Sequence, residues 1–142
     1  MKVLALFVTA VGCLVSSALA EDTAPADLAK MKGTWNVSYY LEQGTRRDQP
    51  KTVSIEDGVL SMGGDKFKIS LDTTKDPHEI NLQDVDADYR VFRGIYEFAF
   101  DDDQLRISFA HWDRSADSPN ARPKTLNSEN ADFFHLKLMQ EP

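Results

Sequence analysis

Apolar and polar residues alternate along most of this 142-residue chain. A period of two marks half-buried β-strands, whose successive side chains point to opposite faces. Trp35, Val37, Tyr39 and Leu41 share one parity, with Asn36, Ser38 and Glu42 on the other, and Val53 and Ile55 continue the pattern. Asp57-Gly58 is a two-residue hairpin signal ahead of Val59 to Met62. Gly63-Gly64-Asp65 then turns the chain into Phe67, Ile69 and Leu71, which alternate with Lys66, Lys68 and Ser70. Asp76-Pro77 breaks that strand, and Ile80 and Leu82 mark a short one. From Tyr89 to Phe100, the residues Phe92, Tyr96, Phe98 and Phe100 fall in one phase, and Gly94 predicts a bulge or bend within the strand. The acidic turn Asp101-Asp102-Asp103 leads to Leu105, Ile107 and Phe109. Residues 113–130, rich in Asp, Ser, Asn and Pro, read as a long loop before a last strand through Phe134, Leu136 and Leu138.

Only Ala24 to Met31 reads as a short helix or turn, so nothing alternates strand with helix. About eight short strands joined by tight turns predict an all-β, antiparallel barrel or sandwich, and closure removes exposed edges. Eight strands close around an interior that either fills with side chains or holds one small ligand. The aromatic stripe Trp35, Tyr39, Phe67, Phe92, Tyr96, Phe98, Phe100 and Phe109 serves either outcome. If a pocket forms at an open end, Trp35, Tyr39, Tyr96 and Phe98 are the candidate ligand-binding residues, the tyrosines supplying polar handles.

The first twenty residues follow a different rule. Lys2 precedes an apolar run from Val3 to Val15, and Ala18-Leu19-Ala20 supplies small residues at the −3 and −1 positions of a cleavage site. Residues 1–20 therefore read as a secretory signal peptide, with one domain over 21–142 in the periplasm or outside the cell. The run is too short for a membrane-spanning helix, which needs about 20 apolar residues, so no transmembrane segment is expected. Ala10-Val11-Gly12-Cys13 offers the competing possibility of a lipobox, with lipid attached at Cys13. Cys13 is the only cysteine, so the exported domain has no disulfide, zinc-thiolate site or cysteine nucleophile, and its core must hold the fold unaided. The net charge of −7 becomes one unit more negative when Lys2 leaves. That balance, with Arg46-Arg47 as the sole basic pair in an expected turn, argues against a nucleic acid or an anionic membrane as partner.

Catalytic patterns are missing. His78, His111 and His135 have no metal-binding spacing, and His135, out of phase with Phe134 and Leu136, should face solvent. Asp84-Val85-Asp86-Ala87-Asp88 opens like a calcium loop, but Tyr89 and Ile95 stand where glycine and glutamate are required. No G-x-S-x-G occurs, Gly63-Gly64 is a lone turn rather than a phosphate loop, and Glu97 should face outward. No enzyme activity, cofactor or metal is expected.

Gly33-Thr34-Trp35, opening the first strand after a short helix, resembles the G-x-W signature of lipocalins. Asp76-Pro77, Glu79-Ile80-Asn81-Leu82, Gly94-Ile95-Tyr96-Glu97, Leu105 to Ala110, Arg122-Pro123 and Leu136-Lys137-Leu138 follow in order. Together they resemble an exported lipocalin-like domain family frequent in planctomycete bacteria, over about residues 28 to 139. The sequence departs from that pattern at Asp101-Asp102-Asp103, where Asp-Gly is usual, and at Leu126, where an aromatic is common. The resemblance implies an up-and-down lipocalin-like barrel with a short N-terminal helix, and it brings no established activity. Two functional expectations follow. One is a small apolar or amphipathic ligand in the barrel mouth. The other is a solid-core interaction module that meets an exported protein partner through its acidic surface or the 113–130 loop.

Overall fold

The computed structural model describes residues 23–48, 51–87, 90–110, 122–126 and 131–138, with Tyr39 and Leu138 as backbone only. Residues 1–22 with Cys13, the expected signal peptide among them, as well as His111 and most of the expected 113–130 loop, lie outside these residues. The elements in order are α1 (Ala24–Met31), β1 (Gly33–Glu42), β2 (Thr45–Arg47), β3 (Thr52–Glu56), β4 (Val59–Met62), β5 (Asp65–Asp72), β6 (Glu79–Asp84), β7 (Val91–Ala99), β8 (Gln104–Ala110) and β9 (Ala131–Leu138).

From β3 to β9 each strand pairs antiparallel with the next in sequence. β1 pairs with β3 through residues 33–36 and with β9 through residues 35–41. That second pairing closes the sheet into an eight-stranded up-and-down barrel, with β2 a short flap on the far end of β1. The all-β antiparallel architecture and its short N-terminal helix are therefore as expected, and of the barrel and the sandwich that the alternation left open the fold is the barrel. Arg46 and Arg47 are not turn residues, however. They belong to β2, and the turn is Gln43-Gly44, with φ of 47° and 78°. Positive φ at both central residues gives the twist that a two-residue hairpin needs, and Asp57-Gly58 repeats it at 49° and 75°.

Helix α1 lies across one end of the barrel and ties together three of the turns there. Thr23 N–H donates to Thr73 Oγ1 after β5 (2.8 Å), Lys30 Nζ reaches Asp102 after β7 (3.1 Å), and Leu28 lies against Gly58 between β3 and β4. Met31, wholly buried, caps the core column of Trp35, Ile55, Ile69, Ile80, Leu105 and Leu136. Buried apolar side chains of this kind each stabilise the fold by about 1.5–3 kcal/mol, and this end of the barrel is solid.

Three local features depart from the sequence pattern. β1 carries a bulge: in the register Val37 pairs with Leu136 and Tyr39 with His135, so Ser38 is an extra residue and Tyr40 takes up the inward phase beyond it. A bulge opposes two residues to one and so reverses the alternation. β7 carries none. Its register runs unbroken through Gly94, and the glycine instead makes room for a ring, because a Cβ there would stand 2.6 Å from Phe109 Cδ1 and 2.5 Å from the Ser108 carbonyl oxygen.

Phe100 is the third departure. It leaves the inward phase altogether, 69% exposed in the turn after β7. Phe100, Asp101 and Asp102 all have positive φ, at 53°, 54° and 66°, a conformation that is strained for a bulky residue. Phe100→Gly should therefore raise stability by roughly 0.5–1 kcal/mol, the relieved strain outweighing added chain entropy and the exposed contact with Arg106. A higher urea midpoint at unchanged slope is the expected readout.

Candidate functional site

The packing that fills the α1 end stops short at the other. A cavity of about 190 Å³ remains there, lined by side chains from all eight barrel strands together with Arg90. Its walls are mainly apolar, and four aromatic rings meet in two edge-to-face pairs: Phe67 with Phe92 at 5.7 Å between centroids, and Phe109 with Phe134 at 6.2 Å. Tyr40 stacks on Phe134 at 4.5 Å. An apolar cavity of about 150 Å³ stays dry and accepts benzene, so this space suits a compact apolar body. Two hollows on the outer surface are larger, at about 350 and 420 Å³, but their walls carry several charged side chains, Arg46, Arg47, Asp48 and Lys51 in one and Lys75, Asp76, Glu79, Arg122 and Lys124 in the other.

Two polar pairs frame the cavity. On one wall Tyr40, buried by the bulge in β1, donates its hydroxyl to Asp132 of β9. Burial, then the carboxylates of Asp132 and Glu42, push the Tyr40 phenol far above its usual range, so it stays a neutral donor. On the other wall Arg90 Nη1 bonds Asp84 Oδ2 at 3.2 Å, and the guanidinium lies 5.4 Å over the Phe92 ring. Asp84 is buried, and its Oδ1 also accepts the Asp86 N–H at 2.9 Å. The supposed calcium loop is thus organised around an arginine. The backbone locks the same turn, with Asp84 N–H donating to the Arg90 carbonyl and Arg90 N–H to that of Ala87.

Three of the predicted ligand-binding residues, Trp35, Tyr96 and Phe98, lie away from the cavity wall. Trp35 is wholly buried at the α1 end, where its Nε1–H donates to the Met31 carbonyl at 2.8 Å. Tyr96 is buried there too, its hydroxyl donating to Asp27 Oδ2 at 2.7 Å, and Phe98 packs edge-on against it. His78 completes this cluster with Nδ1 3.5 Å from the same carboxylate oxygen. The structure brings Trp35, Tyr96 and Phe98 together around the plug, none of them in the cavity wall; the Tyr39 side chain lies outside the described residues. Phase alone missed Tyr40 because the bulge has no sequence signal. It missed Arg90 because a residue at a strand's entry carries no alternation.

Elsewhere the chemistry is structural. Glu97 faces outward, as expected, and pairs with Arg106 at 3.0 Å. Arg122 clamps its segment to the outside of the barrel, bonding Asn81 Oδ1 at 2.8 Å, the Ile80 and Gly94 carbonyls, and Glu79. His135 is on the outward phase but half-buried rather than solvated, with Nε2 2.8 Å from Gln104 Oε1. Burial and then the charge of Arg106 hold its pKa below the usual value. Below about pH 6.5 the unfolded imidazole takes up a proton that the folded one resists, so stability is lost as the pH falls. His135→Gln should flatten the decline between pH 7.5 and 5 in paired urea melts.

Among the described residues no cluster of three His, Cys, Asp or Glu side chains is placed to hold a metal ion, and no helix is long and apolar enough to cross a membrane. No family model matches the chain, and no curated protein or solved structure does.

Proposed function

We propose that this chain is an exported lipocalin-like binding domain that takes one small apolar or amphipathic molecule into the open half of its barrel. The cavity of about 190 Å³ carries the reading: one half of the interior is packed solid, while the other leaves an aromatic-walled space with polar groups at its edge. Binding sites are typically of this form, mostly apolar with a few placed polar groups. The leader at 1–20 and the ordered sequence blocks support export and the planctomycete lipocalin-like resemblance, and N-terminal sequencing of protein recovered from the periplasm should begin at Glu21.

Toluene is the simplest probe. In NMR titrations it should shift the methyl signals of Leu82, Leu136 and Met62, which line the cavity, and leave Ile55 at the packed end unmoved. Met62→Trp, which fills the space from its edge, should abolish those shifts while the protein stays folded. Saturating toluene with no movement at the three methyls would sink the proposal.

A further inference from the structure

The charged groups at the cavity do not cancel. Its lining carries one cation, Arg90, and two carboxylates, Asp65 and Asp132. Arg90 has its own partner in the buried Asp84, and the nearby Arg47 is matched by Glu42 at 2.9 Å. Asp132, half-buried on β9, accepts the Tyr40 hydroxyl. A phenol is a neutral donor, so it leaves the charge of the carboxylate in place, and an ionised carboxylate has about four acceptor sites in all. The field on that wall is negative. Asp132 and Glu42 each push the Tyr40 phenol upward by more than Arg47 draws it down. Asp65 adds a second carboxylate at the head of β5, on the side of the barrel opposite β9. Its exposure leaves it screened by water, so Asp132 carries the greater weight. Arg46 and Lys51, exposed on an outer hollow, are screened likewise.

Resting on the binding reading above, we propose that the ligand is a small amphipathic cation, an ammonium group on the Asp132 side of the barrel mouth carried by an apolar body about the size of one aromatic ring. The aromatic walls favour the same charge, because ring faces are electron-rich and attract a cation within about 6 Å. Phe92 already holds one in this way, with the Arg90 guanidinium 5.4 Å from its centroid. The apolar body takes the space among Phe67, Phe109 and Phe134. An ammonium at the mouth keeps part of its water, which spares it the full cost of burying a charge. A carboxylate on the same body meets Asp132 as a like charge and finds Arg90 already held by Asp84.

Four one-ring probes make the test: benzylammonium, benzyl alcohol, phenylacetate and toluene, each followed through NMR shifts of the Leu82 and Leu136 methyls. Benzylammonium should bind about tenfold or more tightly than phenylacetate, with benzyl alcohol between them. Asp132→Asn keeps a carbonyl oxygen for the Tyr40 hydroxyl and removes the charge. It should weaken benzylammonium about fivefold or more, strengthen phenylacetate and leave toluene unchanged. Asp65→Asn, at an exposed position, should weaken benzylammonium about twofold, and it decides the matter if the first variant folds poorly. Phenylacetate binding as tightly as benzylammonium would overturn the proposal, as would a benzylammonium affinity unmoved by the deciding variant. Toluene binding with no preference among the other three leaves the cavity reading standing and removes this one. If nothing binds, toluene included, both fall together.

Discussion

Trp35→Ala should lower the free energy of unfolding by about 4 kcal/mol, the largest loss expected from any single substitution in this barrel. Trp35 is wholly buried where β1 begins, between the plug helix and the column of core side chains. Truncation removes the apolar contacts of a large ring and leaves a void that strands on all sides cannot close. It also orphans the carbonyl of Met31, which accepts the indole N–H at the C-terminal end of α1. Trp35→Phe separates the two terms. It keeps much of the ring volume, loses the donor, and should cost about 1–2 kcal/mol. Urea unfolding gives both values, and amide exchange should report α1 opening in each variant. A Trp35→Ala protein that loses less than about 1 kcal/mol would mean that the indole does not hold the plug in place.

Arg90→Met should cost about 2–3 kcal/mol for a different reason. It strands the buried carboxylate of Asp84 beside an apolar wall. Breaking a fully buried ion pair typically costs about 3–5 kcal/mol. The lower figure applies here because Arg90 is about a third exposed, and Asp84 keeps the hydrogen bond from the Asp86 N–H. A double-mutant cycle with Asp84→Asn isolates the pair: the double variant should recover at least half of the loss, since no buried charge is then left uncompensated. Equal losses in the single and double variants would assign the cost to packing over Phe92 rather than to charge.

The same contrast runs through what could be read from the chain. Strand after strand was legible because burial on one face enforces a period of two. Val53 and Ile55, Phe67 and Ile69, and Leu105 and Ile107 all point inward as their phase requires. Asp57-Gly58 was legible as a turn for an equally local reason, the need for positive φ at both positions. Gly94 was misread because a glycine in a strand has two causes that look alike in sequence: a bend, or a neighbour that needs the space. Here the neighbour is Phe109, on the next strand. Phe100 kept the phase of β7 on paper, yet the hairpin turns one residue earlier and leaves it outside.

The sequence by itself determined an acidic, all-β antiparallel body of about eight strands, barrel or sandwich, with a helix ahead of it, because alternation and turn chemistry act between residues near in the chain. Which end of that barrel is solid, and which is hollow, only the tertiary structure decided. The plug depends on α1 meeting three turns far apart in sequence, and the cavity depends on a one-residue bulge at Ser38 that carries Tyr40 inward beside Asp132. Arg90 comes to the same space through its grip on Asp84, across a turn that the sequence presented only as a run of carboxylates. Side-chain phase is a local property, but the meeting of walls is not. The aromatic stripe was therefore visible in the chain, while the division of its rings between core and cavity was not.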